Sequence, residues 1–183
     1  HVVTRRQRQM CIRDRSFPWF WGMLHFNDGS YLDWFMPHVT PMWSARDDKP
    51  WRLRDFFRSP NIGTGVFQDR KTGKTQNFDN CTVELCKQTS EDALLDDKGN
   101  ALPEFRVKVW NDDSSATIRV RAVSRARWIF DQPTRASWVS HLSYNEYQLE
   151  VLSITFDDSD GVRTEQDYEW IHGNAEHAWG VLH

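Results

Sequence analysis

WFWGMLHFNDGSYLDWF, residues 19–35, is the stretch on which the fold turns. Large apolar side chains run up to Asn27-Asp28-Gly29-Ser30 and resume at Tyr31, and an Asp-Gly pair flanked by aromatic-rich segments signals a β-hairpin. With Phe26 opposite Tyr31, one face carries Trp19, Trp21, Met23 and His25 together with Leu32, Trp34, Met36 and His38. The other face carries Phe20, Leu24 and Phe26 with Tyr31, Asp33 and Phe35. Both faces are largely apolar, as expected of a strand pair that lines an interior and is also covered from outside.

The same period-two signal continues outward from this hairpin. GVFQDRKTGKTQNFD (65–79) predicts a second hairpin, closing at Lys71 to Lys74. In EFRVKVWNDDSSATIRVRAV (104–123), Phe105, Val107 and Val109 alternate with Arg106 and Lys108, and Ile118 and Val120 alternate with Arg119 and Arg121. That pattern predicts a third hairpin with one wet face. Further strands are expected at Trp138–Tyr144, Tyr147–Phe156 and Ala175–Leu182, with DDSDG (157–161) as an acidic turn. Two longer connections interrupt the cadence: 41–61, with Trp43 and Trp51, and 88–103, with a DDKGN turn; WRLRDFF (51–57) has room for one helical turn. Many short strands with spaced turns predict an all-β, antiparallel barrel or sandwich.

Upstream, RRQRQMCIRDR (5–15) breaks the pattern. From Arg5 to Asp14 it resembles one reading frame of the read-one adapter of transposon-based DNA libraries, so residues 1–15 read as a sequencing-adapter scar and are set aside. They hold five arginines and one aspartate, and without them the formal charge moves from -3 to -7. An acidic remainder argues against a nucleic-acid partner, because phosphate binding needs concentrated positive charge. Residues 16–183 are expected to form one domain, the C-terminal part of a longer protein. The interruption leaves localisation open. Cys81 and Cys86, five apart on a strand, should face opposite ways and stay free, which fits a cytoplasmic thiol. No stretch is long and apolar enough to span a bilayer.

Trp-x-Trp in WFWGMLHF, the Asp-Gly turn, the second apolar strand and the closing GNAEHAWG (173–180) resemble the lipocalin-like proteins of the AttH, carotenoid 1,2-hydratase and tocopherol cyclase group. The resemblance implies a lipocalin-like (calycin-type) barrel, partly open where truncated. It also implies that residues 16–183 are the second of two barrels, with an N-terminal barrel as missing partner, a hydrophobic, isoprenoid-like small molecule as ligand, and a hydratase or cyclase reaction. The alternatives are a non-catalytic carrier using the same cavity and a carbohydrate-binding β-sandwich with an exposed tryptophan row.

Ten tryptophans are a heavy load for 183 residues. Trp19, Trp21 and Trp34, with Met36 and His38 on the same expected face, are the candidate ligand-binding residues, since flat indoles suit a polyene or fused rings and can stabilise a cation. Protonating an alkene needs an acid in an apolar pocket, where burial keeps a carboxyl protonated. Glu176 is the first candidate, Glu146 the next, and His25 a third acid, base or hydrogen-bonding group. No cofactor is expected. No metal is expected either: His25 and His38 lie at opposite ends of the hairpin, roughly 20 Å apart, and His172 and His177 should face opposite ways. The paired aspartates lack the spacing of a calcium loop.

Overall fold

The structure is a computed structural model that describes residues 19–37, 63–86, 93–135 and 138–181. The expectations for 1–15, 41–61 (WRLRDFF included) and His38 fall outside the described residues. Among the described residues there are ten strands: β1 Trp19–Phe26, β2 Tyr31–Pro37, β3 Thr64–Gln68, β4 Thr75–Phe78, β5 Asn80–Leu85, β6 Glu104–Trp110, β7 Ser115–Arg135, β8 Trp138–Asp158, β9 Gly161–Thr164 and β10 Ile171–Val181. Only a short 3-10 turn, Glu165–Asp167, is helical among the described residues.

All pairings are antiparallel, in the order β4-β3-β2-β1-β10-β8-β7-β6-β5, with β9 added to β8. The sheet curls into a nearly closed barrel with one unsealed seam, between β4 and β5, the two strands joined by Asp79. Across that seam β3 offers bare backbone: a side chain at Gly65 would stand 2.8 Å from Val109 Cγ1, and one at Gly63 would stand 2.7 Å from Cys81 Cβ. Close approach of the facing walls therefore replaces the missing ladder.

The three expected hairpins are all present. The second closes slightly earlier than expected, with Asp69 N–H donating to Lys74 O at 2.9 Å. In the third, Phe105, Val107, Val109, Ile118 and Val120 are buried while Arg106 and Lys108 are exposed. The two strands expected between Trp138 and Phe156 are a single 21-residue strand, β8. Cys81 and Cys86 are free, and burial pushes the Cys81 thiol up to about 12.

The first hairpin differs from expectation in its register. Phe26 N–H donates to Ser30 O and Gly29 N–H to Phe26 O, both at 3.0 Å, so the loop is Asn27-Asp28-Gly29 and Phe26 is level with Ser30, not Tyr31. Asp28 Oδ1 accepts from Ser30 N–H at 2.9 Å. Gly29 sits at φ 85°, the left-handed residue that ends a three-residue hairpin loop. The register is thus His25↔Tyr31, Trp21↔Phe35 and Trp19↔Pro37. A one-residue slip moves every side chain of the partner strand to the other face. Phe20, Leu24, Phe26, Leu32, Trp34 and Met36 are all buried inside, while Trp19, Trp21, Met23 and His25 share the outer face with Tyr31, Asp33 and Phe35.

Gly29→Val places a β-branched side chain in the left-handed region and should cost about 1–2 kcal/mol. A lowered urea midpoint with an unchanged slope checks this; an unchanged midpoint would refute the turn assignment.

Candidate functional site

The barrel interior is graded from one end to the other. At the lower end, beside the Asn27–Gly29 loop, Phe26, Phe67, Phe156 and Tyr168 interlock, with Phe67–Phe156 and Phe26–Tyr168 centroids both 4.5 Å apart. Arg163 lies over Phe67 and Phe156 at 5.1 and 5.2 Å and is tied to Asp69 at 3.2 Å and Asp158 at 2.6 Å. Rings fill the interior here, beside a half-open surface cleft of about 180 Å³ lined by Phe67, Asp69, Lys74, Asp158 and Arg163.

Higher up, one row across the sheet reads Trp34, Gly22, Ala175, Tyr147 and Arg125 in register. Small residues at its centre leave room for the large rings at its sides. A Cβ at Gly22 would collide with the Trp34 indole, which is fully buried. Phe105 stands 4.7 Å from Phe20 and 5.9 Å from Tyr147, centroid to centroid.

The next interior row up reads Met36, Phe20, His177, Asn145 and Arg127, with Ser143 one row above Asn145. His177, Asn145 and Ser143 are fully buried, and His177 packs 5.7 Å from the Phe20 ring. Asn145 Nδ2 donates to His177 O at 3.3 Å, and Arg127 Nε donates to Ser143 Oγ at 3.2 Å. Asn145 Oδ1 and Trp34 Nε1 are buried with no hydrogen-bond partner. Burial holds the Tyr147 phenol well above its ordinary value, against the opposing charges of Arg125 and Arg127. The phenol is therefore a neutral hydroxyl at physiological pH.

Arg125 pairs with Asp96 on the turn 96–100, with both side chains almost wholly shielded at 5% and 3% exposed. Burial alone would raise the Asp96 carboxyl, but hydrogen bonds from Asn100 and the Lys98 N–H, with the charge of Arg125, outweigh it and hold the group below its ordinary 3.8.

The residues singled out from the sequence divide between two faces. Trp34 and Met36 are interior; Trp19 and Trp21 are half-buried on the outer face. Glu176 and Glu146 are brought together as direct partners across β10 and β8, beside Trp21, and therefore also on the outer face. His25 is exposed there, opposite His172 and Tyr31. The expected meeting of an acid with Trp19, Trp21 and Trp34 in one cavity does not occur, because the register moved Trp34 inward without Trp19 and Trp21. Outside, Trp19 and Trp128 flank Tyr144 at 6.3 and 5.6 Å, and Tyr144 is only 7% exposed beneath them. That cluster is a packed ridge, not an open stacking platform.

Sequence reasoning did not assemble the interior polar row. Its available signal was the alternation of Ser143, Asn145, Tyr147 and Leu149, which puts polar groups at one inward parity. Among the described residues no group of three or more His, Cys, Asp or Glu is arranged to hold a metal ion, and no helix is long and apolar enough to cross a membrane.

A single antiparallel sheet curled around a graded aromatic interior, sealed below and polar above, defines a lipocalin-like β-barrel. No family model matches the chain, and neither does any curated protein or solved structure.

Because the Asp96 carboxyl is depressed when folded, its contribution is present above pH 3.8 and is lost as pH falls through its lower folded value. Asp96→Asn should lower stability at neutral pH and flatten the loss of stability below about pH 4. Urea titrations from pH 7 to pH 2 check both effects; an acid limb as steep as the parent's would refute the assignment.

Proposed function

We propose that this barrel binds a hydrophobic small molecule in the upper half of its interior, between Phe20, Trp34, Met36, Phe105 and Tyr147. The observation that carries this reading is the pair of orphaned polar atoms, Trp34 Nε1 and Asn145 Oδ1, set into aromatic walls. Leaving a buried polar atom unsatisfied costs about 1–3 kcal/mol, a cost without return in a purely structural core. A guest that is mostly apolar and carries an oxygen function meets both the walls and the stranded groups. The filled lower end restricts the guest to the upper rows.

The polar groups that orient the guest are then Asn145, Tyr147, His177 and Arg127, in place of Glu176, Glu146 and His25, whose strand positions face outward. Trp34 and Met36 keep the role of wall residues. A carrier is favoured over a hydratase or cyclase, because the two carboxyls expected to protonate a substrate, Glu176 and Glu146, stand on the outer face. The likeness to the AttH, carotenoid 1,2-hydratase and tocopherol cyclase group points to an isoprenoid-like guest and to a companion barrel.

Titration with the neutral fluorophore N-phenyl-1-naphthylamine tests the reading. Saturable probe fluorescence should rise as tryptophan emission falls, and Trp34→Phe should remove most of the quenching while the protein stays folded. An absence of quenching at saturating probe would eliminate an accessible interior.

A further inference from the structure

Residues 94–102 form a small hairpin of their own ahead of β6. Leu95 bridges Ala101, Leu102 N–H donates to Leu94 O at 2.7 Å, and Asp96 N–H donates to Asn100 O at 2.8 Å. One carboxylate organises the turn: Asp96 Oδ1 accepts from Lys98 N–H at 2.9 Å and from Asn100 N–H at 2.8 Å, and Gly99 takes a φ of 76°. Packing holds little of this hairpin. Of its leucines, Leu94 and Leu95 are exposed and only Leu102 enters the core, in the cluster that holds Phe20, Trp34, Phe105 and Tyr147. A two-stranded hairpin is marginal by itself, so its position depends on what it docks against.

It docks against β7, just past the end of the β6 ladder. β6 pairs with β7 as far as Glu104 opposite Arg121, and Ala122 N–H, donating to Pro103 O at 2.9 Å, extends that contact by one residue. β7 bulges at the next position. Ala122 pairs with Leu149 and Ser124 with Gln148, so Val123 is the extra residue, and beyond it the alternation of β7 is reversed. Bulges of this kind re-aim side chains, and they concentrate at barrel rims and beside sites. Arg125 therefore stands level with Tyr147 on the interior side, close enough for its charge to act on the buried phenol. Asp96 meets it there, and the two side chains are only 5% and 3% exposed. The tip of the hairpin thus lies across the interior side of β7, at the row of Trp34, Gly22, Ala175 and Tyr147.

The kind of attachment decides what the hairpin can do. Two charges withdrawn from water lose hydration that their mutual attraction only roughly restores, so a shielded pair adds little net stability, while removing one partner alone leaves a stranded charge. Lifting the hairpin parts both groups at once and returns both to water. An apolar side chain in the same place would oppose lifting with its whole buried surface. We propose that hairpin 94–102 is the door of the upper interior and the Asp96–Arg125 ion pair its latch, so that a hydrophobic guest enters and leaves when the pair parts. The inference rests on the interior being the binding site. Asp96 serves both parts of the device: the carboxylate that shapes the turn through Oδ1 accepts from the Arg125 guanidinium through Oδ2.

The test is stopped-flow binding of N-phenyl-1-naphthylamine to the full chain. Arg125→Gln breaks the pair without touching the turn that Asp96 organises. It should raise the association and dissociation rate constants together, by about fivefold or more, and leave Kd within about threefold of the parent. Lys74→Gln, which removes the exposed ion pair with Asp160 at the lower end, should leave both rates unchanged. Unchanged rates in Arg125→Gln overturn the latch. A faster dissociation with association unaltered overturns the door, since the pair would then belong to the wall, and equal acceleration by Lys74→Gln overturns it as general loosening. A second measurement needs no variant and stays decisive if Arg125→Gln does not fold. In the parent chain the Asn100 and Leu102 amides should exchange their hydrogens about a hundredfold faster than those of β6, at a rate that urea below the unfolding transition does not change. Exchange of those two amides only through global unfolding overturns the door while the container stands. Failure of the parent to bind the probe at all overturns the container, and the door with it.

Discussion

The left-handed backbone at Gly29 sets the phase of the first hairpin, and the phase decides what this protein has inside. Period-two alternation gives each strand two candidate inner faces, and in β1 and β2 both are rich in large apolar side chains. Hydrophobicity alone therefore cannot choose between them. The choice is made by a loop of three residues, Asn27, Asp28 and Gly29, held by Asp28 Oδ1 on the Ser30 N–H and by the Gly29 φ of 85°. From that turn, β1 transmits the phase to β10, and β10 to β8, through unbroken antiparallel ladders. His177 and Asn145 are interior because Phe20 is.

Packing then converts phase into a gradient. Gly22 and Ala175, small residues in the middle of one row, let Trp34 and Tyr147 lean inward from either side. Larger residues at those two positions would fill the row as completely as Phe26, Phe67, Phe156 and Tyr168 fill the lower end. Arg163 completes that lower end by combining an aromatic contact with two ion pairs, which gives a charged lid to an apolar plug. The upper rows are built on the opposite principle, with polar groups admitted to the interior and only some of them satisfied. Two ends made so differently give the barrel a direction.

Much of this architecture was legible in the sequence. The three hairpins, the wet face of Arg106 and Lys108, the free cysteines and the all-β class all follow from alternation and turn chemistry. The register was not legible, because NDGS is compatible with a loop of three residues or of four, and the two differ only in which backbone groups bond. That single step separated Trp34 and Met36 from Trp19 and Trp21, while Glu176 meets Glu146 through a different ladder, that of β10 on β8. The bulge at Val123 was equally hidden: no glycine or proline marks it, and only the pairing of β7 with β8 reveals that Arg125 and Arg127 have changed sides. Polar interior positions such as Asn145 resisted prediction because period-two patterns identify the inside by its greasiness, and here the upper interior is not uniformly greasy.

The place of β10 has a consequence for how such a chain is made. β1 and β8 are neighbours of β10 and not of each other, so the sheet stays in two pieces until residues 171–181 exist. A ribosome would release β1 with one open edge and hold it so through the synthesis of β2 to β9. Such edges recruit strands from other molecules, and contacts between distant parts of a chain form slowly. Chaperone dependence at the bench and in the cell is the expected signature of a cylinder whose keystone is translated late.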